Sequence, residues 1–218
     1  MSSSLIQLLV LAGIAVFLIL RLRSVLGTRD GFEKPPVTGP SPSRGRPEFD
    51  VIEGGPDHDI IDHVDDGSNS AKSLAAMKMA EPGFMVGTFL EGSRGAYEMI
   101  LMAFENGDLS DVRNFLSDDV AETLQSVIDQ REEQGLTVEA NFVGVREVSL
   151  KEADFDRSTS EGEVTVRFVG ELTSVVKNAD GEVVEGNANE IKRQRDVWTF
   201  ARVMGSDDPN WQLVATGE

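Results

Sequence analysis

The sequence predicts a chain of three parts: a transmembrane helix, a disordered linker, and an α+β domain in which three helices pack on one face of a curved antiparallel sheet. Three observations predict this order. The first 20 residues carry no charged side chain, the next segment is rich in proline, and the hydrophobic pattern changes after Gly135. Before Gly135 apolar residues recur at helical spacing, and after it they alternate with a period of two. Helices followed by strands are typical of α+β domains.

Residues 1–27 are predicted to be a membrane anchor. Twelve of the sixteen residues at 5–20 are Leu, Ile, Val or Phe, which contribute roughly −4 to −7 kcal/mol to membrane insertion. Arg21 and Arg23 flank the C-terminal end of this run, and no basic residue precedes it. The alternative, a cleaved signal peptide, carries its positive charges before the apolar core. The positive-inside rule therefore predicts an external N-terminus and a cytoplasmic C-terminal domain.

Residues 28–72 are predicted to be a disordered acidic linker, because they contain six of the eight prolines and show little periodicity. Small apolar groups lie within acidic sequence at 49–66. They allow two interpretations, a short segment that orders on a partner or a solvated tether, and we favour the tether. His58 and His63, the only histidines, are five residues apart and share no helix face. We therefore expect no metal site.

Composition excludes several classes of function. The chain has no cysteine, which excludes disulfides and thiol nucleophiles. Its net charge is −18, and residues 77–218 hold 13 bases and 28 acids, a balance of −15 that disfavours nucleic acid as a partner. The segment after residue 72 lacks histidine and contains Tyr97 as its only tyrosine. No phosphate-binding loop is present either, so we expect neither catalytic nor cofactor-binding residues and no enzymatic activity.

The helical elements follow one another between residues 70 and 135. Ser70 or Ser73 is predicted to cap a short helix through Met79, which Glu81-Pro-Gly83 ends. Helical periodicity then spans 84–105, with Asn106-Gly-Asp108 as its C-terminal signal. One or two helical turns are expected at 109–116. A third helix begins at Ser117-Asp-Asp119, with Glu122 completing a capping pattern, and ends at Gln134-Gly135.

The strands are predicted from β-branched and alternating segments at 138–150, 164–169, 191–203 and 211–215. Asn178-Ala-Asp-Gly181 is a turn signal between two of these runs. Sequential strands joined by turns predict an antiparallel meander.

Several motifs occur in the order found in one family: FLEGSRGAYEMILMAF at 89–104, LSDDV at 116–120, VTVRF at 164–168, DVWTFAR at 196–202 and WQLVA at 211–215. Together they resemble the Tim44-like domain, the C-terminal domain of the mitochondrial inner-membrane import-motor subunit. The resemblance covers about residues 80–216, within a domain that we assign to 73–218. The anchor with its Pro-rich acidic linker is similar to the bacterial TimA-type adaptors.

The resemblance implies a cone-shaped fold related to nuclear transport factor two, with an apolar pocket between three helices and a bent sheet. It also implies a single-pass adaptor at the bacterial inner membrane that binds proteins in translocation or membrane-complex organisation. The alternative function is binding of an acyl chain or another apolar ligand in the pocket.

Two groups of residues are candidates for these contacts. The first is an unusually apolar segment that would contact lipid or a partner if it is not buried: Phe84, Met85, Val86, Phe89 and Leu90. The second group is expected to form the pocket wall: Tyr97, Leu101, Phe168, Trp198 and Phe200.

Two further residue types allow alternatives in the helical half. Gly92 and Gly95 interrupt a helical segment, either because a partner approaches or because the helix packs closely on the sheet, which we favour. The methionines at 77, 79, 85, 99 and 102 suit an adaptable groove, but filling of the core is the commoner use.

Overall fold

A computed structural model describes residues 57–217. The predicted anchor, its flanking Arg21 and Arg23, and the part of the predicted linker before residue 57 lie outside the described residues. No helix within the described range has the length and apolar character needed to cross a membrane.

The described chain forms helices first and strands second, which confirms the predicted α+β class. The helices are α1 (His58–Ile61), α2 (Asn69–Ala80), α3 (Val86–Asn106), a 3₁₀ helix (Ser110–Phe115) and α4 (Asp118–Glu133). The strands are β1 (Thr137–Asp156), β2 (Glu161–Lys177), β3 (Val183–Val203) and β4 (Gln212–Gly217).

Ordered structure begins before the predicted domain boundary at residue 73. Helix α1 lies inside the segment that we interpreted as a tether, and its Ile60 is buried in the hydrophobic core. The boundary also falls within α2. Residues 57–72 of the predicted linker are therefore part of the domain, because the apolar side chains among its aspartates pack on the domain itself.

Serine 68, rather than either predicted serine, caps α2. The Ser68 hydroxyl accepts a hydrogen bond from the Ala71 amide at 3.1 Å. Ser70 lies in the first turn, where its hydroxyl accepts from the Ala153 amide of β1 at 3.1 Å. A hydroxyl that was expected to start the helix therefore joins the helix to the sheet.

The other helix ends agree more closely with the sequence pattern. The Ser117 hydroxyl caps α4 by accepting from the Val120 amide, so the predicted pattern ending at Glu122 is not the cap. Gly107 ends α3 with a φ of 76°, a left-handed conformation that glycine adopts without steric penalty.

The four strands form one open antiparallel sheet in the order β1-β2-β3-β4. This is the predicted meander, and the Asn178 side chain organises the β2–β3 turn by accepting from the amides of Asp180 and Glu182. The strands are longer than predicted, since β1 and β2 continue to a turn at 157–160. Three register shifts interrupt the β1–β2 pairing, and such bulges bend a sheet.

The core lies between the helices and one face of this sheet. Helices α2 and α3 pack on β1, and α4 contacts β4. The residue before α4's cap, Leu116, forms a β-bridge with Leu213 of β4. The alternation in β2 is clear, because Val164, Val166 and Phe168 are fully buried while the residues between them are less so. An opening remains between the start of α3, the C-terminal end of β3 and the residues that lead into β4.

Candidate functional site

A cavity of about 360 Å³ lies at that opening, and we call it the α3 cavity. Its wall comes from α3, the segment before it, the 3₁₀ helix, β3 and the residues leading into β4. Most of the wall is apolar, and the charged side chains in it are Glu81 and Arg202. The lining residues include Glu81, Phe84, Met85, Phe89, Gly92, Met99, Phe115, Phe200, Arg202 and Trp211.

Aromatic side chains form the floor of the α3 cavity. The ring centroids of Phe89 and Trp211 are 4.7 Å apart, and those of Phe84 and Trp211 are 5.8 Å apart. Phe200 meets Phe89 edge-on at 6.0 Å. These distances are in the favourable range for aromatic pairs. The floor therefore joins the start of α3 to β3 and to the residue before β4.

An ion pair joins two parts of the cavity wall. The Arg202 guanidinium donates to the Glu81 carboxylate through Nη2 and to the Pro209 carbonyl at 3.1 Å through Nη1. Glu81 also accepts from the Gly205 amide at 2.9 Å. The hydrogen bond from the Gly205 amide, and to a smaller extent the one from Arg202, lower the pKa of Glu81 below its ordinary value. Glu81, the C-cap of α2, is therefore ionised and fixed to the β3–β4 hairpin.

One donor of Arg202 lacks an acceptor. The side chain is only 9 % exposed, and its Nε–H has no hydrogen-bond partner among residues 57–217. The guanidinium carbon also lies 5.3 Å from the centre of the Trp211 ring, within cation–π distance. A buried unpaired donor in a cavity wall is an unusual feature in a folded protein.

Tyr97 lies deeper, in the aromatic core beneath the sheet face. Its ring stacks on Phe168 at 4.6 Å and contacts Trp198 at 4.8 Å, and its hydroxyl donates to Asp196 Oδ2 at 2.5 Å. Burial, together with the neighbouring Asp196 carboxylate, raises the pKa of Tyr97 far above its ordinary value. The hydroxyl is therefore a hydrogen-bond donor at all physiological pH values, and it anchors α3 to β3.

A carboxylate from α1 caps the start of α3. Asp59 accepts from the Val86 amide at 2.8 Å and the Gly87 amide at 3.0 Å, and it pairs with Lys78 at 2.7 Å. Burial acts to raise the pKa of Asp59, but the hydrogen bonds from Lys78, Gly87 and Val86 outweigh it and lower the pKa. This cap satisfies helix N–H groups that the N-cap residue Met85 leaves free.

The structure separates the predicted contact segment into two roles. Phe84 and Phe89 are buried in the cavity floor, Val86 and Leu90 are buried in the core, and only Met85 is exposed, at 46 %. The segment is therefore mainly core and cavity wall, because the aromatic residues of β3 and of the approach to β4 cover it.

The predicted pocket wall is mostly solid core. All five residues are buried, but only Phe200 borders the α3 cavity; the others are Tyr97, Leu101, Phe168 and Trp198. Tyr97, Phe168 and Trp198 pack against one another and fill the space that an empty pocket would need. The cavity is formed instead toward the start of α3.

The glycine and methionine predictions were wrong in part. Gly92 and Gly95 are exposed, and a Cβ on either would meet nothing within 4 Å, so neither provides close packing on the sheet. Met77 is fully buried as expected, whereas Met85 and Met99 are about half exposed at the cavity.

The sequence interpretation missed Glu81, Arg202, Phe115 and Trp211 as site residues. For Arg202 a signal was present, since the alternation that puts Trp198 and Phe200 on one face of β3 puts Arg202 on the same face.

Other depressions in residues 57–217 have more polar walls. A larger depression of about 640 Å³ between Gly107 and Gln125 is lined mainly by polar and charged residues. Over residues 57–217, no three histidine or acidic side chains are grouped to hold a metal.

The fold and site define a small α+β domain with an apolar cavity between its longest helix, the strand β3 and the segment that leads into β4. Residues 70–218 match the Tim44-like domain, and the chain belongs to this family, which confirms the resemblance of the sequence motifs. No curated protein matches the chain. The crystal structure of the intermembrane space region of the chloroplast protein ARC6 is similar with a TM-score of 0.39 and 7% identity, covering 59% of this chain and 94% of that chain.

Proposed function

We propose that the protein is a single-pass adaptor of the bacterial inner membrane. In this proposal residues 5–20 span the membrane, the N-terminus is outside, and the C-terminal domain binds proteins in the cytoplasm during translocation or organisation of membrane complexes. The observation that carries the proposal is the Tim44-like domain at 70–218, preceded by an uncharged apolar run.

The polar groups of the core support a non-catalytic role. Asp196 accepts hydrogen bonds from Tyr97 and from Gln194 Nε2 at 3.0 Å, so its oxygens are engaged in structural contacts. Tyr97 is fully buried, and its raised pKa makes it a poor proton donor to a substrate. We therefore propose that this pair positions α3 and does not perform acid–base chemistry.

Membrane topology tests the first half of the proposal. A phosphatase and a fluorescent reporter are fused separately after Glu218, and carbonate extraction of membranes measures insertion. The proposal expects a fluorescent, phosphatase-inactive fusion that remains in the membrane fraction. Replacing Leu9 and Ile14 with Asp should release the chain into the soluble fraction. Active phosphatase after Glu218 would contradict the proposed orientation.

Cross-linking in native membranes tests the second half. A photoreactive residue at the exposed position Met85 or Val127 should give stoichiometric cross-links to membrane or translocation proteins. Recovery of only self-products or abundant unrelated proteins from several such positions would contradict an adaptor role.

Binding of an acyl chain or another apolar ligand is the second candidate function. The α3 cavity supports it, since its volume and aromatic wall suit an apolar ligand. Native mass spectrometry of the full chain released from nanodiscs should then show a retained lipid mass. A chain that is empty in every charge state contradicts lipid binding.

A further inference from the structure

We propose that the α3 cavity binds a short, uncharged, apolar segment of a partner protein. A large apolar side chain of that segment enters the cavity, and one of its peptide carbonyls accepts a hydrogen bond from Arg202. This inference rests on the proposed adaptor function and names the surface and the chemistry by which the partner is held.

The cavity wall suits a large apolar side chain. Phe84, Phe89, Phe115, Phe200 and Trp211 surround a volume of about 360 Å³, near the lower end of the range for binding pockets. A side chain that enters this space exchanges water for aromatic contacts, which favours binding.

The rim along α3 gives a backbone room to lie beside the cavity. Met85, Gly92 and Met99 are spaced by seven residues and all line the cavity, so they follow one side of the helix over about 21 Å. Met85 and Met99 are 46 % and 48 % exposed, and their flexible thioethers can adapt to different side chains. Between them, Gly92 has no side chain to keep a second backbone away.

The unpaired donor of Arg202 indicates that the ligand carries a hydrogen-bond acceptor. Its side chain lines the cavity and is more than nine-tenths buried, yet its Nε–H has no acceptor within residues 57–217. An unpaired buried donor is unfavourable, and a ligand that supplies an acceptor removes this penalty. Because the Nη1 partner is the carbonyl of the exposed Pro209, a small rotation of the guanidinium can bring a donor to an incoming oxygen.

Charge balance favours a neutral acceptor. The Arg202 charge is already paired with the ionised Glu81. A carboxylate or phosphate in the cavity would add an unbalanced negative charge at a mostly buried site, which is unfavourable. The surrounding segment 77–218 is itself strongly acidic. A peptide carbonyl supplies the acceptor without the charge, which favours a protein segment over a fatty acid or an anionic headgroup.

The experiment uses the full chain in phosphatidylcholine nanodiscs and a phage-displayed library of twelve-residue peptides. Selected peptides are synthesised, and their affinities are measured by fluorescence anisotropy. The test variant is Gly92→Leu, which fills the cavity mouth. The matched control is Gly95→Leu, because Gly95 is also exposed on α3 with no neighbour within 4 Å but does not line the cavity. Met99→Asp adds a charge at the rim, and thermal melting confirms that each variant is folded.

The proposal expects selected peptides without charge and with at least one Leu, Phe or Trp. Gly92→Leu and Met99→Asp should weaken their binding at least tenfold, whereas Gly95→Leu should leave it within twofold. Equal binding to Gly92→Leu and Gly95→Leu, selection of charged peptides, or no selected peptide would overturn it. Binding of oleate or phosphatidylglycerol vesicles that Gly92→Leu abolishes, without peptide binding, would identify the site as a lipid site.

The same variants separate this inference from the adaptor function. If native-membrane cross-links persist in Gly92→Leu while peptide binding is unaffected, the adaptor binds its partner at another surface and only the cavity proposal fails. If the chain that carries the photoreactive residue and retains Gly92 gives no such cross-links, the adaptor function fails.

Discussion

The hydroxyl oxygen of Tyr97 lies 2.6 Å from the position that a Cβ atom on Gly170 would take. Two ring carbons of Tyr97 are 3.0 and 3.2 Å from the same position. The absence of a side chain at Gly170 in β2 therefore allows the tyrosine of α3 to reach Asp196 in β3. Tyr97 therefore brings together three elements, α3, β2 and β3, at one point of the core.

Replacing Gly170 with Ala should destabilise the domain by about 1–3 kcal/mol, because the new methyl group overlaps the tyrosine. In a Tyr97→Phe background the cost of Gly170→Ala should fall by at least about 0.5 kcal/mol, since the nearest atom is gone. Urea unfolding of the wild type, both single variants and the double variant measures this coupling. Strict additivity would contradict the contact.

The exposed glycines of α3 give the opposite expectation. Gly92→Ala and Gly95→Ala should each stabilise the chain by up to about 1 kcal/mol, because alanine favours a helix and neither new Cβ meets a neighbour. Thermal unfolding of the two variants provides the comparison. A loss of stability in either would show that its backbone is closely packed against another element.

Asp59→Ala should destabilise the domain by about 1–2 kcal/mol at pH 7, because it removes the cap of α3 and a partner of Lys78. Asp62→Ala is the control, since Asp62 is exposed and its side chain makes no hydrogen bond or ion pair in the described domain. The lowered pKa of Asp59 sets the pH dependence. Its contribution is complete above the ordinary value of 3.8 and is lost as the pH falls through the lower folded value.

Unfolding measured from pH 7 to pH 2.5 tests this sign. The stability difference between the wild type and Asp59→Ala should be constant down to about pH 4 and should shrink below it. A difference that grows on acidification would contradict the cap.

Glu81→Gln should destabilise the domain by about 2 kcal/mol, because it leaves the mostly buried Arg202 without its charged partner. Glu147→Gln is the matched control. Glu147 also pairs with an arginine, but both side chains of that pair are about half exposed, so the change should stay within about 0.5 kcal/mol. Equal effects of the two substitutions would show that the Arg202 pair is no stronger than a surface pair.

The order of elements could be predicted because it depends on local patterns. Helical spacing in α3 and α4, alternation in β2 and β3, and the turn at Asn178 are each readable within about twenty residues. The start of the domain was predicted too late because the role of Asp59 depends on amides 27 and 28 residues further on.

The site could be predicted only in part, for the same reason. Glu81 and Arg202 are 121 residues apart, and nothing local to either indicates the pair. The apolar segment at 84–90 was recognised, but its burial depends on Phe200 and Trp211, whose contacts with it are fixed only by the sheet. Tyr97 and Trp198 were expected in a pocket wall, but both are buried and pack against each other in the core.

The cap from Asp59 to the first turn of α3 also connects the first helix of the described domain to the cavity. A force applied at Asp57 acts first on the contacts of α1. These are the hydrogen bonds from Val86 and Gly87 to Asp59 and the ion pairs of Lys78 with Asp57 and Asp59. The same turn of α3 begins beside Met85 in the cavity wall. A displacement of α1 is therefore transmitted through Asp59 to the turn of α3 that borders the cavity.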